Sequence, residues 1–176
     1  MGDKATSLFI FFVLSMGIVY LCRKDLRNRG SYGYYRFFTF EFVLLLIMSS
    51  IPVWLKDPLS PLQIISWTLI AVALCLGILG LRISFERRHA DPESADLLIQ
   101  TGIYRSIRHP LYSALVFLSL GLFIKEPSEF WALLLVGVGF TISATVNAEE
   151  EFDEKKFGEP YRVYRQRTKR FIPYIY

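Results

Sequence analysis

The stretch Thr101–Tyr112, reading TGIYRSIRHPLY, holds the residue types best suited to chemistry. Gly102 lets the backbone turn sharply. His109 directly precedes Pro110, which biases His109 to extended backbone and suits the first turn of a following helix. A helix starting there offers unpaired N–H groups and partial positive charge, a setting for a carboxylate. Tyr104, His109 and Tyr112 surround that point. The competing reading is structural: Arg108 rests on a lipid phosphate, the tyrosines sit at the membrane interface, and the segment anchors a helix end. A second group is Glu149-Glu150-Glu151, at the end of an apolar run. Three adjacent carboxylates there need cations or a ligand. Glu150 and Glu151 read as a solvated face paired with Lys155 and Lys156 at helical spacing. Glu149, nearest the apolar run, can turn back towards the His109 region.

Other chemistries find little footing. No Gly-rich phosphate loop, Cys/His metal spacing or Gly-x-Ser-x-Gly elbow occurs. His89 and His109 are the only histidines, which excludes a histidine-rich metal site. Cys22 and Cys75 lie far apart in apolar segments and imply neither a disulfide nor a zinc framework.

The elements that must position these groups belong in a membrane. Of 176 residues, 53% are hydrophobic and 16% aromatic, and the mean hydropathy is +0.36. The apolar residues fall into blocks: Ser7–Cys22, Phe37–Leu55, Pro61–Leu81, Leu111–Ile124 and Phe130–Val146. A helix rises about 1.5 Å per residue and must cross roughly 30 Å of hydrocarbon. The second and third blocks span comfortably, the first and fifth are marginal, and the fourth is short. Lys4, Lys56 and Lys125 lie on one alternating set of connections, and the other 17 of the 20 basic residues lie on the opposite set. Positive charge stays on the cytoplasmic side, which sets the N-terminus outside and the C-terminus inside. Five spans fit this alternation. The net charge of +4 then reflects topology and attraction to anionic lipid, not nucleic-acid binding.

The expectation is therefore an all-α, polytopic membrane protein with about five transmembrane helices, folded as a single domain over 1–176. Residues 1–81 carry three spans. Residues 82–176 carry a transmembrane helical hairpin and C-terminal cytoplasmic helices. Ser60 and Pro61 form an N-cap and first-turn proline for the third span, and Pro127 and Ser128 make the tight link between the fourth and fifth. Gly158 can stop a helix over Glu149–Phe157, and Pro160 can start another with Tyr161 and Tyr164 on one face. Glu41 lies inside the second span, where an ionised carboxylate costs about 2.5–3.5 kcal/mol. It either snorkels to the nearby cytoplasmic end or lines an internal polar site.

Over roughly Arg82 to Pro173 the chain resembles the isoprenylcysteine carboxyl methyltransferase family and its wider group of integral-membrane S-adenosylmethionine-dependent methyltransferases. The resemblance rests on Gly102-Ile103-Tyr104 with Arg108-His109-Pro110-Leu111-Tyr112, on the glutamate run, and on Phe157-Gly158, Tyr161, Tyr164, Arg170 and Pro173. The Arg-His-Pro element also occurs in a related pattern of membrane sterol reductases. The resemblance implies a cofactor pocket formed by cytoplasmic segments. Its implied cofactor residues are Tyr104, His109, Pro110, Leu111, Tyr112 and Glu149, with Leu97, Leu98 and Ile99 as the apolar wall. His109 and Glu149 are the implied catalytic pair. The chain departs from the family at Asp96, where such enzymes have a histidine, and at His89, where some have a glutamine. Thr145 stands where the prenylcysteine enzymes carry an arginine near the substrate. Thr145, and Glu41 if it lines a polar site, are the candidates on the substrate side.

The implied activity is methyl transfer from S-adenosylmethionine, with S-adenosylhomocysteine as product. The acceptor is a lipophilic or prenylated molecule entering from the bilayer, by family default a prenylcysteine carboxylate. Alignment of the attacking atom alone supplies roughly 7–11 kcal/mol of such a barrier. The alternatives are an NADPH-dependent membrane reductase of the sterol type and a non-catalytic lipid-binding protein. Membrane lipids are the other expected partners. The expected location is a prokaryotic inner membrane, or the endoplasmic reticulum in a eukaryote, with the active site facing the cytoplasm.

Overall fold

Helix punctuation in the sequence decides where each element begins. A computed structural model of the chain describes residues 2–54, 56, 59–90, 98–173 and 175, and for residues 2–5 and 87–90 it describes the backbone alone. Among the described residues six α-helices follow in order: α1 Gly2–Cys22, α2 Tyr32–Ser50, α3 Pro61–Ala90, α4 Pro110–Lys125, α5 Glu129–Phe157 and α6 Glu159–Arg167. Short 3-10 turns lie at Asp25–Arg27, Ile51–Val53 and Gly102–Arg105. Among the described residues there is no strand, only an isolated parallel bridge between Ile107 and Lys169.

Among the described residues all five apolar blocks are mainly helical. Three segments among the described residues are both long and apolar enough to cross a membrane: Tyr32–Val53, Pro61–Glu86 and Glu129–Phe157. Thr6–Cys22 and Pro110–Lys125 are apolar but shorter. At about 1.5 Å per residue, the 16 residues of α4 reach only part of the way across. Large apolar side chains such as Phe9, Phe12, Met16, Leu74, Ile78, Leu133 and Phe140 remain exposed. So much outward apolar surface marks a membrane protein rather than a soluble core.

The chain divides into two compact units, and α3, α4 and α5 each contribute to both. Unit 1 comprises Met1–Leu69 and Ser119–Glu149. Its helix starts are capped by serines: Ser60 accepts from the Gln63 N–H as its sequence predicts, and Ser31 accepts from Tyr34 and Ser128 from Trp131. At one end of this unit Lys125, 5% exposed, lies 3.7 Å over the Trp67 ring. Its Nζ donates to Gln63 Oε1 at 3.1 Å, and Gln63 Nε2 donates to the Lys125 carbonyl at 3.0 Å. Helix α1 packs on α2, where Ser15 donates to Glu41 at 3.0 Å. That contact gives the Glu41 carboxylate a partner inside the helix pair.

Unit 2 comprises Ile70–Leu118 and Glu150–Tyr176. Gly80 lets α3 approach the start of α4, since a Cβ there would meet Leu111 at 3.0 Å and Pro110 at 3.4 Å. Gly102 has φ +58° and its α-carbon faces Ile83, so the turn before α4 tolerates no side chain. Gly158, at φ +62°, separates α5 from α6. Pro160 then sits in the first turn of α6, with Tyr161 and Tyr164 both buried.

Candidate functional site

Pro110 disfavours a helical conformation at His109, and the extended residues before it find a partner late in the chain. Lys169 N–H donates to the Ser106 carbonyl at 3.1 Å, Arg108 N–H to the Lys169 carbonyl at 2.8 Å, and His109 N–H to the Arg170 carbonyl at 3.1 Å. Ser113, fully buried, ties the two strips through Oγ, which lies 3.0 Å from the His109 carbonyl and 2.8 Å from the Phe171 carbonyl. The N–H groups of Arg108 and His109, just before the start of α4, are thus occupied by the C-terminal strip.

A buried ion network lies beside these strips. Glu150, 3% exposed, receives Arg108 at Oε1 (Nη2 2.9 Å, Nε 3.0 Å) and Arg170 at Oε2 (2.8 Å). His109 Nε2 is 3.3 Å from Oε1. An ionised carboxylate only accepts, so Nε2 is the donor in this contact. Arg165 stands 3.9 Å from Oε2. Arg108 Nη1 also donates to the carbonyls of Thr168 at 2.5 Å and Arg165 at 3.1 Å. A lone buried carboxylate costs several kcal/mol, and here two permanent cations and well-formed hydrogen bonds offset that penalty.

Tyrosines make the third layer. Tyr164 donates through its hydroxyl to the Tyr104 carbonyl at 2.8 Å, and Thr168 Oγ1 donates to the Tyr164 carbonyl at 2.7 Å. The Tyr104 hydroxyl is 3.2 Å from Ser84 Oγ. Tyr161 is 1% exposed, and its hydroxyl has no hydrogen-bond partner among the described residues. Burial pushes both Tyr161 and Tyr164 well above the usual phenol range, and the Glu150 carboxylate adds to this at Tyr161. Both hydroxyls therefore stay protonated donors. Tyr112, 8% exposed, and Phe171 flank the His109 ring, with ring centroids 5.8 and 6.4 Å away.

Tyr104, His109, Pro110, Leu111 and Tyr112 all belong to unit 2, along with half-buried Leu98 and Ile99. Asp96, Leu97 and the side chain of His89 lie outside the described residues. Glu149, half-buried, ends unit 1. Thr145 is fully buried in that unit, and its hydroxyl donates to the Thr141 carbonyl at 2.7 Å. Glu41, also in unit 1, accepts from Ser15. Among the described residues no group of three His, Cys, Asp or Glu side chains could hold a metal ion.

Two expectations need correcting. Glu151 is exposed and pairs with Lys155 at 2.6 Å as its spacing suggests, but Glu150 is no solvated residue. Helical phase explains why: Val138, Ile142 and Val146 are each at most 1% exposed, and Glu150 is the next residue at four-residue spacing. Extending that stripe by one turn would have found it. Arg108 does not rest on a lipid phosphate either, since its side chain is 7% exposed and bound to Glu150. Arg170, Thr168 and Ser113 join the site through the C-terminal strip, a pairing that sequence spacing does not encode.

A family model described as "Protein of unknown function (DUF1295)" matches residues 21–168, a range that includes Arg108, His109 and Glu150. No curated protein and no solved structure matches the chain.

Proposed function

The chain belongs to the DUF1295 family, and we propose that this member is an integral-membrane methyltransferase that uses S-adenosylmethionine to methylate a lipophilic or prenylated acceptor. In this reading the chain has about five spans, with the N-terminus outside and the His109 region at the cytoplasmic face. The excess of Lys and Arg on one set of connections supports that orientation. The observation that carries the reading is the gathering of the Gly-x-Tyr and Arg-His-Pro-x-Tyr residues with α6 and the C-terminal strip, linked through Tyr164, Thr168 and Arg108.

The residues present fit such a cofactor in one respect. The unpartnered Tyr161 hydroxyl is a buried donor that a bound polar group would satisfy. Tyr104, His109, Pro110, Leu111 and Tyr112 would hold the cofactor, with Leu98 and Ile99 as apolar wall. When bound, S-adenosylmethionine supplies an already activated methyl group on a sulfonium. The chain's part is to orient the acceptor and exclude water. A carboxylate or amine acceptor needs no base. His109, with Nε2 committed to Glu150, is held as an orienting group.

Calorimetric titration of the purified protein with S-adenosylhomocysteine tests this proposal. Binding is expected, and His109→Ala and Glu149→Ala should each weaken it. A folded protein that takes up no ligand would remove the reading. A second reading, reduction of a lipophilic substrate by a nicotinamide dinucleotide, is favoured by the family's standing as a membrane-associated, steroid-reductase-like group. NADPH binding, read by its fluorescence, with no S-adenosylhomocysteine binding, would select it.

A further inference from the structure

Unit 2 carries a cleft of about 370 Å³ lined by Gln100, Arg105, Tyr164, Arg167 and Thr168. Its volume falls in the usual range for small-ligand sites. Its chemistry stands out among the arginines of the unit. Arg82 pairs with Glu86, Arg108 and Arg170 with Glu150, and Arg162 and Arg165 with Glu154. Among the described residues Arg105 and Arg167 have no carboxylate partner, and both line this one cleft.

Tyr164 and Thr168, buried at 6% and 5% exposure, give the cleft a fixed wall. Their hydroxyls are committed to the carbonyls of Tyr104 and Tyr164. The polar groups left uncommitted are two guanidiniums and the Gln100 amide. Guanidiniums only donate, and they suit a planar or tetrahedral oxyanion bidentately. Two of them with an amide N–H offer more donors, and more charge, than one carboxylate uses. A phosphate group matches both.

We propose that this cleft is a binding site for a phosphate group, with Arg105 and Arg167 as its principal contacts and Gln100 as the neutral donor. The phosphate is either the headgroup of an anionic lipid or part of a soluble phosphorylated molecule. The inference is independent of the methyl-transfer reading, because a sulfonium nucleoside of that kind carries no phosphate. The S-adenosylhomocysteine titration and the test below therefore succeed or fail separately.

The test uses the full chain in nanodiscs. In discs of neutral phosphatidylcholine, calorimetry follows titration with inorganic pyrophosphate. In discs doped with phosphatidylglycerol, native mass spectrometry counts retained anionic lipid. Arg105→Gln and Arg167→Gln are compared with Arg82→Gln, which removes the same charge from an exposed arginine outside the cleft. Saturable pyrophosphate binding, weakened about tenfold or more by either cleft variant as expected for one lost charge-assisted contact, identifies a soluble ligand. Phosphatidylglycerol retention lost in both cleft variants and kept in Arg82→Gln, without pyrophosphate binding, identifies a lipid headgroup. Both cleft arginines are exposed, so unfolding temperatures should match the parent and exclude misfolding. The proposal is overturned if neither probe binds, or if Arg82→Gln weakens binding as much as the cleft variants do.

Discussion

Arg108 meets Glu150 with two nitrogens on one oxygen, Nη2 at 2.9 Å and Nε at 3.0 Å, while its third nitrogen reaches the Thr168 carbonyl at 2.5 Å. One side chain therefore joins the residue preceding His109, the far end of α5 and the strip after α6. Lysine could carry the charge but not this three-way geometry.

The first prediction concerns Glu150. Its replacement by Gln leaves Arg108, with its side chain 7% exposed, facing no carboxylate, and it should destabilise the protein by about 3–5 kcal/mol. Glu151→Gln removes an exposed pair and should cost less than about 1 kcal/mol. Thermal or denaturant unfolding of both variants in one detergent checks the contrast, and equal losses would contradict the network described above.

The same network makes a non-additive prediction. Arg108→Met and Glu150→Met each strand the other's charge, whereas the double variant strands less and replaces the pair with apolar volume. The double variant should be more stable than the sum of the single losses predicts, with a coupling of roughly 1–3 kcal/mol. Arg170 remains a cation in every variant, so the double variant should not regain full stability. A double-mutant cycle by equilibrium unfolding measures the coupling, and additivity within error would mean that the two side chains do not act as a pair.

Much of this arrangement was legible in the sequence, and the boundary has a physical cause. The cap at Ser60 and the break at Gly158 are local devices, set by residues within a few positions, and both fall where their sequence predicts. Tyr161 and Tyr164 share a buried face because helical spacing requires it. The choice among three adjacent glutamates was not local. It depended on the phase of a helix that begins at Glu129, which the glutamates alone do not show and the stripe of Val138, Ile142 and Val146 upstream does. The covering of His109 by Arg170 links residues whose separation carries no period at all.

Gly158 yields a third prediction. Its φ of +62° and ψ of −129° suit glycine and strain any residue with a Cβ, although no neighbouring atom lies within 4 Å of that Cβ. Gly158→Ala should therefore lose about 1–3 kcal/mol through backbone strain alone. Gly139→Ala, inside α5 with equally open space, should be neutral or stabilising by up to about 1 kcal/mol. If both substitutions behaved alike, the turn between α5 and α6 would not have this conformation.

The last prediction separates two tyrosines that sequence treats as equivalent. Tyr164→Phe loses a hydrogen bond to the Tyr104 carbonyl and should cost about 1 kcal/mol. Tyr161→Phe removes a buried hydroxyl that has no partner among the described residues, so it should leave the ligand-free protein equally or more stable. Any ligand satisfied by that hydroxyl should bind less tightly to Tyr161→Phe, a loss with no counterpart in stability. Both phenols hold their protons more tightly when folded than when unfolded. The folded state thus binds more protons at high pH, and its stability should decline as pH rises above about 10, the ordinary phenol value. Below that pH neither group titrates in either state, and the two contribute no slope. Substituting both with Phe should flatten the alkaline decline measured by unfolding at a series of pH values. A double variant with an unchanged alkaline limb would place these hydroxyls in water rather than in the interior of unit 2.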